Sequence, residues 1–326
     1  MKKSALFVAG ILAGAIALTF AFASVDLGTL ARSLTNIDVT SVAVATASLI
    51  LHLAIKTWRW SLLLGPRQGA NFKTLAPVVA LGSTGNMILP HAGELLRAYV
   101  LRRDNTAPAA FVLGTIAVER LFDFIAVLSL VTLVALIKVE LPAAVFTAGS
   151  VVLGMCIAMV VVIAACTMYP GASEKVMSSG LSSNSSGLRR RAVSAIQNVM
   201  TGLSASRSAT TYLIVVALSA LQWFAMAVGI HACISAAGFA VPISASIIAL
   251  FLSIAGLTLP TAPGYVGTLQ VCFMIALVPF GVSQSDAVAA SVIYNGVIVV
   301  TLLILGPIAM IHCGIGPKKI RELNSQ

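Results

Sequence analysis

The chain has 326 residues, of which 59% are hydrophobic and only 9% charged, and it carries a net charge of +10 with a mean hydropathy of +1.03. Soluble domains hold about 25% charged residues, so this deficit excludes an ordinary water-soluble domain and makes lipid the main solvent. The apolar stretches are continuous rather than alternating, which excludes a β-barrel and leaves an all-α polytopic membrane protein.

The first apolar run covers residues 4–24. Lys2 and Lys3 before it and Ala21-Phe22-Ala23 near its end resemble a signal peptide with its cleavage site. The pattern of the later segments needs this helix, so it is expected to be a retained anchor. The second run covers residues 41–64 and reaches the length of about 20 residues that a bilayer crossing requires.

Residues 74–103 are different, because Gly85-Asn86-Met87-Ile88-Leu89-Pro90-His91-Ala92-Gly93-Glu94 interrupts them. The arm before the break, residues 75–89, has 15 residues. That is roughly 22 Å of helix against about 30 Å of hydrocarbon. Pro90 removes a backbone donor and disfavours helix at Leu89. A re-entrant hairpin that turns back at mid-depth is therefore expected. Such backbone survives at that depth only when buried in protein or lining a wet cavity.

Residues 108–137 and 143–168 form the third and fourth spans. A Ser/Gly-rich linker at residues 178–187 leads to Arg189, Arg190 and Arg191. Residues 209–236 form the fifth span. A second interrupted stretch, residues 243–280, contains Gly256-Leu257-Thr258-Leu259-Pro260-Thr261-Ala262-Pro263-Gly264, which echoes the first break. Residues 287–312 form the sixth span.

Lysine and arginine collect at Lys2 and Lys3, at Lys56, Arg59, Arg67 and Lys73, at Arg97, Arg102 and Arg103, at Lys175 and the Arg189 run, and at Lys318, Lys319 and Arg321. Taken as loop charges, these all fall on one face when six spans alternate with two hairpins. The positive-inside rule then places both termini in the cytoplasm, in a bacterial or archaeal inner membrane. It also explains the basic character without nucleic acid as a partner. In this arrangement residues 1–140 hold two spans, a hairpin and a third span. Residues 141–313 repeat that order from the opposite face, and residues 314–326 form a tail. Paired Gly/Pro interruptions in the two halves of such an inverted repeat point to a transport site where the repeats meet.

Glu119, Arg120 and Asp123 lie inside the third span. A charge at the centre of a spanning helix costs about 2.5–3.5 kcal/mol and usually marks function. Arg120 and Asp123 stand at i,i+3 and can pair. The functional reading makes Arg120 an anion holder, with Asp123 and Glu119 orienting it or taking protons; the alternative is an ion pair that joins helices. The first hairpin adds Asn86, His91, Glu94 and Arg97. A helix restarting after Pro90 would aim free amides, including that of Gly93, at an anion. His91 could titrate near neutral pH or be a hydrogen-bonded turn residue. In the second hairpin Pro260, Pro263, Gly264 and Gly267 shape the turn, and Thr258, Thr261 and Tyr265 supply hydroxyls. The five cysteines (Cys156, Cys166, Cys233, Cys272 and Cys313) form no CxxC pair and suit packing. No P-loop, HExxH or G-x-S-x-G pattern occurs, so no catalytic activity, cofactor or metal is expected.

Several strings together carry a family resemblance. They are Arg59-Trp60-x-Leu62-Leu63, Leu81-Gly82 with Asn86, Leu89-Pro90-x-Ala92-Gly93-Glu94 with Arg97, Glu119-Arg120 with Asp123, and Leu259-Pro260 with Pro263-Gly264 and Gly267. The chain resembles the flippase-like transmembrane domain of lysylphosphatidylglycerol synthases, from about residue 5 to 312. The resemblance implies a lipid flippase that moves a phospholipid, a glycolipid or a polyprenyl-phosphate-linked substrate between leaflets. It implies a stand-alone member without the aminoacyl-transfer domain. Its partners would be membrane lipids with an anionic headgroup and pathway enzymes such as a lipid glycosyltransferase or an aminoacyl-transferase. Two positions depart from the pattern: Gln270 stands where many relatives carry Glu, and Asn295 where many carry Arg. The residues also fit a proton-coupled carrier of a small polar solute, or a membrane-embedded transferase acting on lipid-linked sugars.

Overall fold

A computed structural model describes residues 37–65, 70–89, 91–136, 143–151, 209–257 and 262–315, together with residues 35, 153, 154 and 157. The expected first span, most of the fourth, the Ser/Gly linker with the Arg189 run, the tail, and Pro90, Thr258, Pro260 and Thr261 lie outside the described residues.

The described chain forms α1 (Val39–Leu64), α2 (Phe72–Ile88), α3 (Ala92–Arg103), α4 (Ala109–Leu136), α5 (Ala209–Ala236), α6 (Ile243–Leu257), α7 (Thr268–Leu277) and α8 (Gln284–His312). Short 3-10 turns at Pro263–Tyr265 and Val278–Phe280 flank α7. Side-chain caps set several starts. Asp38 accepts from the amides of Thr40 and Ser41 at α1, Asn71 from Thr74 at α2 and Ser283 from Asp286 at α8. These caps carry α1, α2 and α8 two to three residues further toward the N-terminus than the apolar runs alone suggest.

Among the described residues three helices, α1, α5 and α8, are long and apolar enough to cross a membrane. A fourth, α4, has 28 residues but carries Glu119, Arg120 and Asp123. By contrast α2, α3, α6 and α7 have 17, 12, 15 and 10 residues, all short of the roughly 20 a crossing needs. Large apolar side chains such as Leu133, Leu213, Leu221, Phe224, Leu303 and Ile304 point outward and are exposed, a surface suited to hydrocarbon.

The short helices pair as two hairpins. In the first, α2 and α3 run antiparallel, with Gly82 against Arg97 and Gly85 against Leu96 and Gly93. A Cβ on Gly93 would overlap the Gly82 carbonyl, so glycine is what permits this approach. In the second, Gly256 of α6 faces Thr268 and Cys272 of α7, and the Cys272 thiol donates to the Leu252 carbonyl at 3.3 Å.

Helices α1 and α5 also run antiparallel. Asp38 N donates to Ala236 O, Ser48 packs on Gly229, His52 meets the Gln222 carbonyl and Arg59 reaches Ser219. Each of these helices leads directly into a hairpin, so the two hairpins open at opposite ends of the bundle. The helix contacts also follow a pattern. Every pair of packed helices has a counterpart when α1, α2, α3 and α4 are exchanged with α5, α6, α7 and α8. Thus α1 packs on α2 as α5 does on α6, and α2 packs on α8 as α6 does on α4.

Two apolar cores result. Among the described residues, one gathers the start of α1, the C-terminal halves of α4 and α5, α6, α7 and the N-terminal half of α8. The other gathers the end of α1, α2, α3, the N-terminal half of α4 and the C-terminal half of α8. On α4 they part between Val118 and Leu121, and on α5 between Val215 and Ala227. A polar layer occupies that boundary. It corrects one sequence expectation: Lys56, Arg59 and Arg97 are not loop charges. All three lie within helices and are held inside the bundle against acidic side chains. Lys73, Arg102 and Arg103 stay at the open end of the first hairpin.

Candidate functional site

The polar layer is assembled from four helices. α1 supplies Lys56 and Arg59, one turn apart on one face. α3 supplies Glu94 and Arg97, α4 supplies Glu119, Arg120 and Asp123, and α5 supplies Ser219 and Trp223. Arg59 is fully buried. Its Nη1 donates to Asp123 Oδ1 at 2.6 Å and to Ser219 Oγ at 2.7 Å, and its Nη2 lies 3.3 Å from Glu119 Oε1. Trp223 Nε1 adds a second donor to Asp123 Oδ1 at 2.9 Å. Glu119, only 1% exposed, is the hub: it accepts from Arg97 Nη2 at 2.7 Å and meets Lys56 Nζ at 3.4 Å.

Arg97 is locked on every side. Its guanidinium lies 3.8 Å from the centroid of the Trp60 ring, a cation–π contact. Trp60 is held in turn by a 3.1 Å bond from its Nε1 to Thr115. The stem of Arg97 fills the space that a Cβ on Gly82 would take.

Arg120 is the open member. Its side chain is 36% exposed, and it pairs with Glu94 at 2.8 Å and, more distantly, with Asp123 at 3.8 Å. The expected i,i+3 pair is therefore the weaker of its two contacts. Glu94 and Arg97 share a face of α3, yet each turns to α4 instead.

Asn86 closes the tip of the first hairpin. Its Oδ1 accepts from Gly93 N at 2.7 Å, so the Gly93 amide is not free to meet an anion as the sequence suggested. Its amide nitrogen donates to Glu94 at 3.4 Å, and its carbonyl accepts from the Tyr265 hydroxyl of the second hairpin at 3.0 Å. His91 takes a left-handed conformation (φ 65) ahead of α3 and makes no side-chain cap.

The second hairpin is built without charge. Gly264, Tyr265 and Gly267 all have positive φ, and Pro263 starts the 3-10 turn. Gln270 is buried, and its Oε1 accepts from Gly267 N at 2.6 Å. The oxygen at this position thus holds the turn, a task that a carboxylate or a carboxamide can perform.

Four side chains escaped the sequence reading: Lys56 and Arg59, taken as loop charges, and Ser219 and Trp223, taken as ordinary span residues. The first two carried a signal. They are cations inside an apolar run of spanning length, which is costly unless acidic partners face them. Gln222, beside Trp223, is also fully buried, and neither atom of its side-chain amide has a hydrogen-bond partner among the described residues.

A family model described as the lysylphosphatidylglycerol synthase TM region matches residues 7–306. The chain belongs to this family. Together with the long apolar helices, membership makes it a multi-pass membrane protein with a lipid-related role. Over 134 residues the chain is 28% identical to a protein named Glycosyltransferase AglD from Haloferax volcanii, a match covering 40% of this chain. The chain spans about a fifth of that relative's length, 21%. No solved structure matches.

Proposed function

We propose that this family member is a lipid translocase, moving a lipid headgroup through a polar layer between two opposed hairpins while the tails remain in the bilayer. The observation that carries this is the ion network of Lys56, Arg59, Arg97, Glu119, Arg120 and Asp123 inside an apolar bundle, with Arg120 partly open. A network kept only for packing would gain little from an open guanidinium, because a buried pair stabilises weakly at best. The reading takes the fold as six spans and two re-entrant hairpins in an inverted repeat. Three features support it: α1 and α5 are antiparallel, the hairpins open at opposite ends, and the helix contacts survive exchange of the two halves. It places both termini in the cytoplasm of a bacterial or archaeal inner membrane and assigns no bond-breaking step.

The test is leaflet exchange of headgroup-labelled lipids in vesicles containing the purified protein. One arm uses phospholipids and one uses polyprenyl-phosphate sugars, because part of the chain resembles part of a protein named a glycosyltransferase. Exchange in either arm that is lost in Arg120→Gln supports the reading. Exchange no faster than in empty vesicles in both arms rejects it.

A further inference from the structure

The polar layer has an open end and a sealed part, and the two differ in charge balance. At the open end the partly exposed Arg120 is matched by Glu94, so solvent and one carboxylate together satisfy its charge. In the sealed part Lys56, Arg59 and Arg97 meet Glu119 and Asp123. Three cations thus face two carboxylates, a surplus of one positive charge among the described residues. The other described acids are engaged elsewhere. Asp38 caps α1, Asp104 pairs with Arg103 and Asp286 sits beside Ser283 at the start of α8. Atoms without a hydrogen bond stand on both sides of the cluster, at Glu119 Oε1 and Asp123 Oδ2 as well as at Arg59 Nε, Arg59 Nη2 and Arg97 Nε. The sealed part is therefore short of negative charge, not of acceptor atoms.

A proton on Glu119 or Asp123 would enlarge the surplus, so neither carboxylate suits the proton-taking role that the sequence suggested. Arginine keeps its proton in proteins, which leaves Lys56. Its Nζ lies 3.4 Å from Glu119 Oε1, an oxygen that accepts no hydrogen bond. The charged groups around it are Arg97 of α3, Glu119, Arg120 and Asp123 of α4 and, on α1 itself, Arg59 and the titratable His52. α5 brings only the neutral Ser219 and Trp223 to the cluster. Release of one proton from Lys56 makes the sealed part neutral, and a buried lysine, unlike an arginine, can release one.

His52 stands one turn before Lys56 on the same face of α1 and is buried against α5. Its ring meets Trp223 edge-on, with centroids 5.2 Å apart, and its Nδ1 lies 3.3 Å from the Gln222 carbonyl. A carbonyl only accepts, so Nδ1 carries the hydrogen and Nε2 is the basic atom. The fully buried Gln222 side chain adds an unbonded donor and an unbonded acceptor to the same stretch of the α1–α5 interface. Ser48, a further turn toward the start of α1, packs on Gly229. The stripe of Ser48, His52 and Lys56 thus leads from the polar layer toward the α1 start, away from Lys73, Arg102 and Arg103.

We propose that Lys56 is the proton-binding site of the layer, neutral while the layer is empty and charged while it holds a phosphate, with His52 passing the proton. On release, one N–H bond of the Lys56 ammonium breaks, the proton bonds to the lone pair of His52 Nε2 and a neutral amine remains; uptake reverses these steps. The phosphate common to phospholipids and polyprenyl-phosphate sugars then moves together with one proton, and a proton gradient can drive it. That coupling rests on the translocase reading, whereas the proton site stands on the charge balance alone.

The first test is magnetic resonance of the full-length protein in detergent, with isotope-labelled lysine side chains and no added ligand. At about pH 8 one of the eight lysines should give the carbon and nitrogen signals of a neutral amine, and Lys56→Arg should remove them. Eight ammonium groups in the wild type overturn the site whether or not Lys56→Arg folds, and so does a neutral signal that survives the substitution. The second test is equilibrium binding of phosphatidylglycerol, whose phosphodiester keeps its charge throughout, between about pH 6 and about pH 9. Wild-type affinity should fall about tenfold per pH unit on the alkaline side, as one proton taken up per lipid requires. Lys56→Arg, which holds its charge permanently, should lack that slope. Binding that is absent or flat with pH in the wild type, or a slope that Lys56→Arg keeps, overturns the coupling. His52→Phe should keep the slope and slow proton uptake after a pH jump by at least about tenfold; an unchanged rate removes His52 from the route. A neutral amine without leaflet exchange would remove translocation and leave the proton site standing, whereas exchange with all eight lysines charged would do the reverse.

Discussion

The two hairpins share a backbone plan and differ in what fills it. In the first, Gly82, Gly85 and Gly93 bring α2 and α3 close enough for Arg97 to pass over Gly82 and reach Glu119. In the second, Gly256 performs the same service for Thr268 and Cys272, and the turn is closed by the neutral Gln270. Buried charge is thus concentrated, among the described residues, on one side of a bundle whose helix contacts are otherwise matched. The contrast separates two tasks that the shared architecture would merge: closeness comes from glycine in both halves, whereas affinity for charge belongs to the first half alone. A hydrogen bond between the hairpin tips, from the Tyr265 hydroxyl to the Asn86 carbonyl, lets the uncharged half bear on the charged one without carrying charge itself.

Substitutions can break this contrast, beginning with the hub. Glu119→Ala leaves Lys56, Arg59 and Arg97 without their shared carboxylate and should cost about 3–5 kcal/mol, seen as a large loss of monodisperse protein and of melting temperature in detergent. Gly93→Ala forces the first hairpin apart and should cost roughly 1–3 kcal/mol as overpacking, measured in the same melt. Gln270→Ala, the corresponding assault on the uncharged half, leaves the buried turn amide of Gly267 unpaired and should cost about 1–2 kcal/mol. A penalty equal to that of Glu119→Ala would mean that the halves are not unequal in the way described. Tyr265→Phe removes a single bond between the tips and should cost about 1 kcal/mol, with greater protease or hydrogen-exchange access at residues 86–94 as the sharper readout.

The smallest effect lies outside the bundle core, at the start of α1. The Ser41 hydroxyl and the amides of Ser41 and Thr40 hold the Asp38 carboxyl below its usual range. Because the folded value is the lower one, the cap's contribution is complete above about pH 4 and fades as pH falls through the folded value. A melt series in acid should show this decline in the wild type and a shallower one in Asp38→Asn.

The sequence made the hairpins and the α4 charges legible for different reasons. A Leu-Pro break in an arm too short to span is a local signal, and so is a carboxylate in the middle of an apolar run. The partners of those charges were not local. Arg59 and Lys56 sit on α1, far in sequence from Glu119, and only packing shows that they face inward rather than joining a loop. The pairing of Glu94 with Arg120 instead of Arg97 likewise depends on the distance between α3 and α4, which no spacing along one helix encodes. Asn86 lay within the recognised motif, yet its work, occupying the Gly93 amide, became visible only once α2 and α3 were brought together.

The most direct test of the central claim is a density map of the protein in a nanodisc that contains phosphatidylglycerol. The account expects headgroup density between the hairpin tips, with its phosphate within hydrogen-bond reach of Arg120. Headgroups confined to the bundle's outer surface, with the Arg120–Glu94 pair closed and only water beside it, would contradict it.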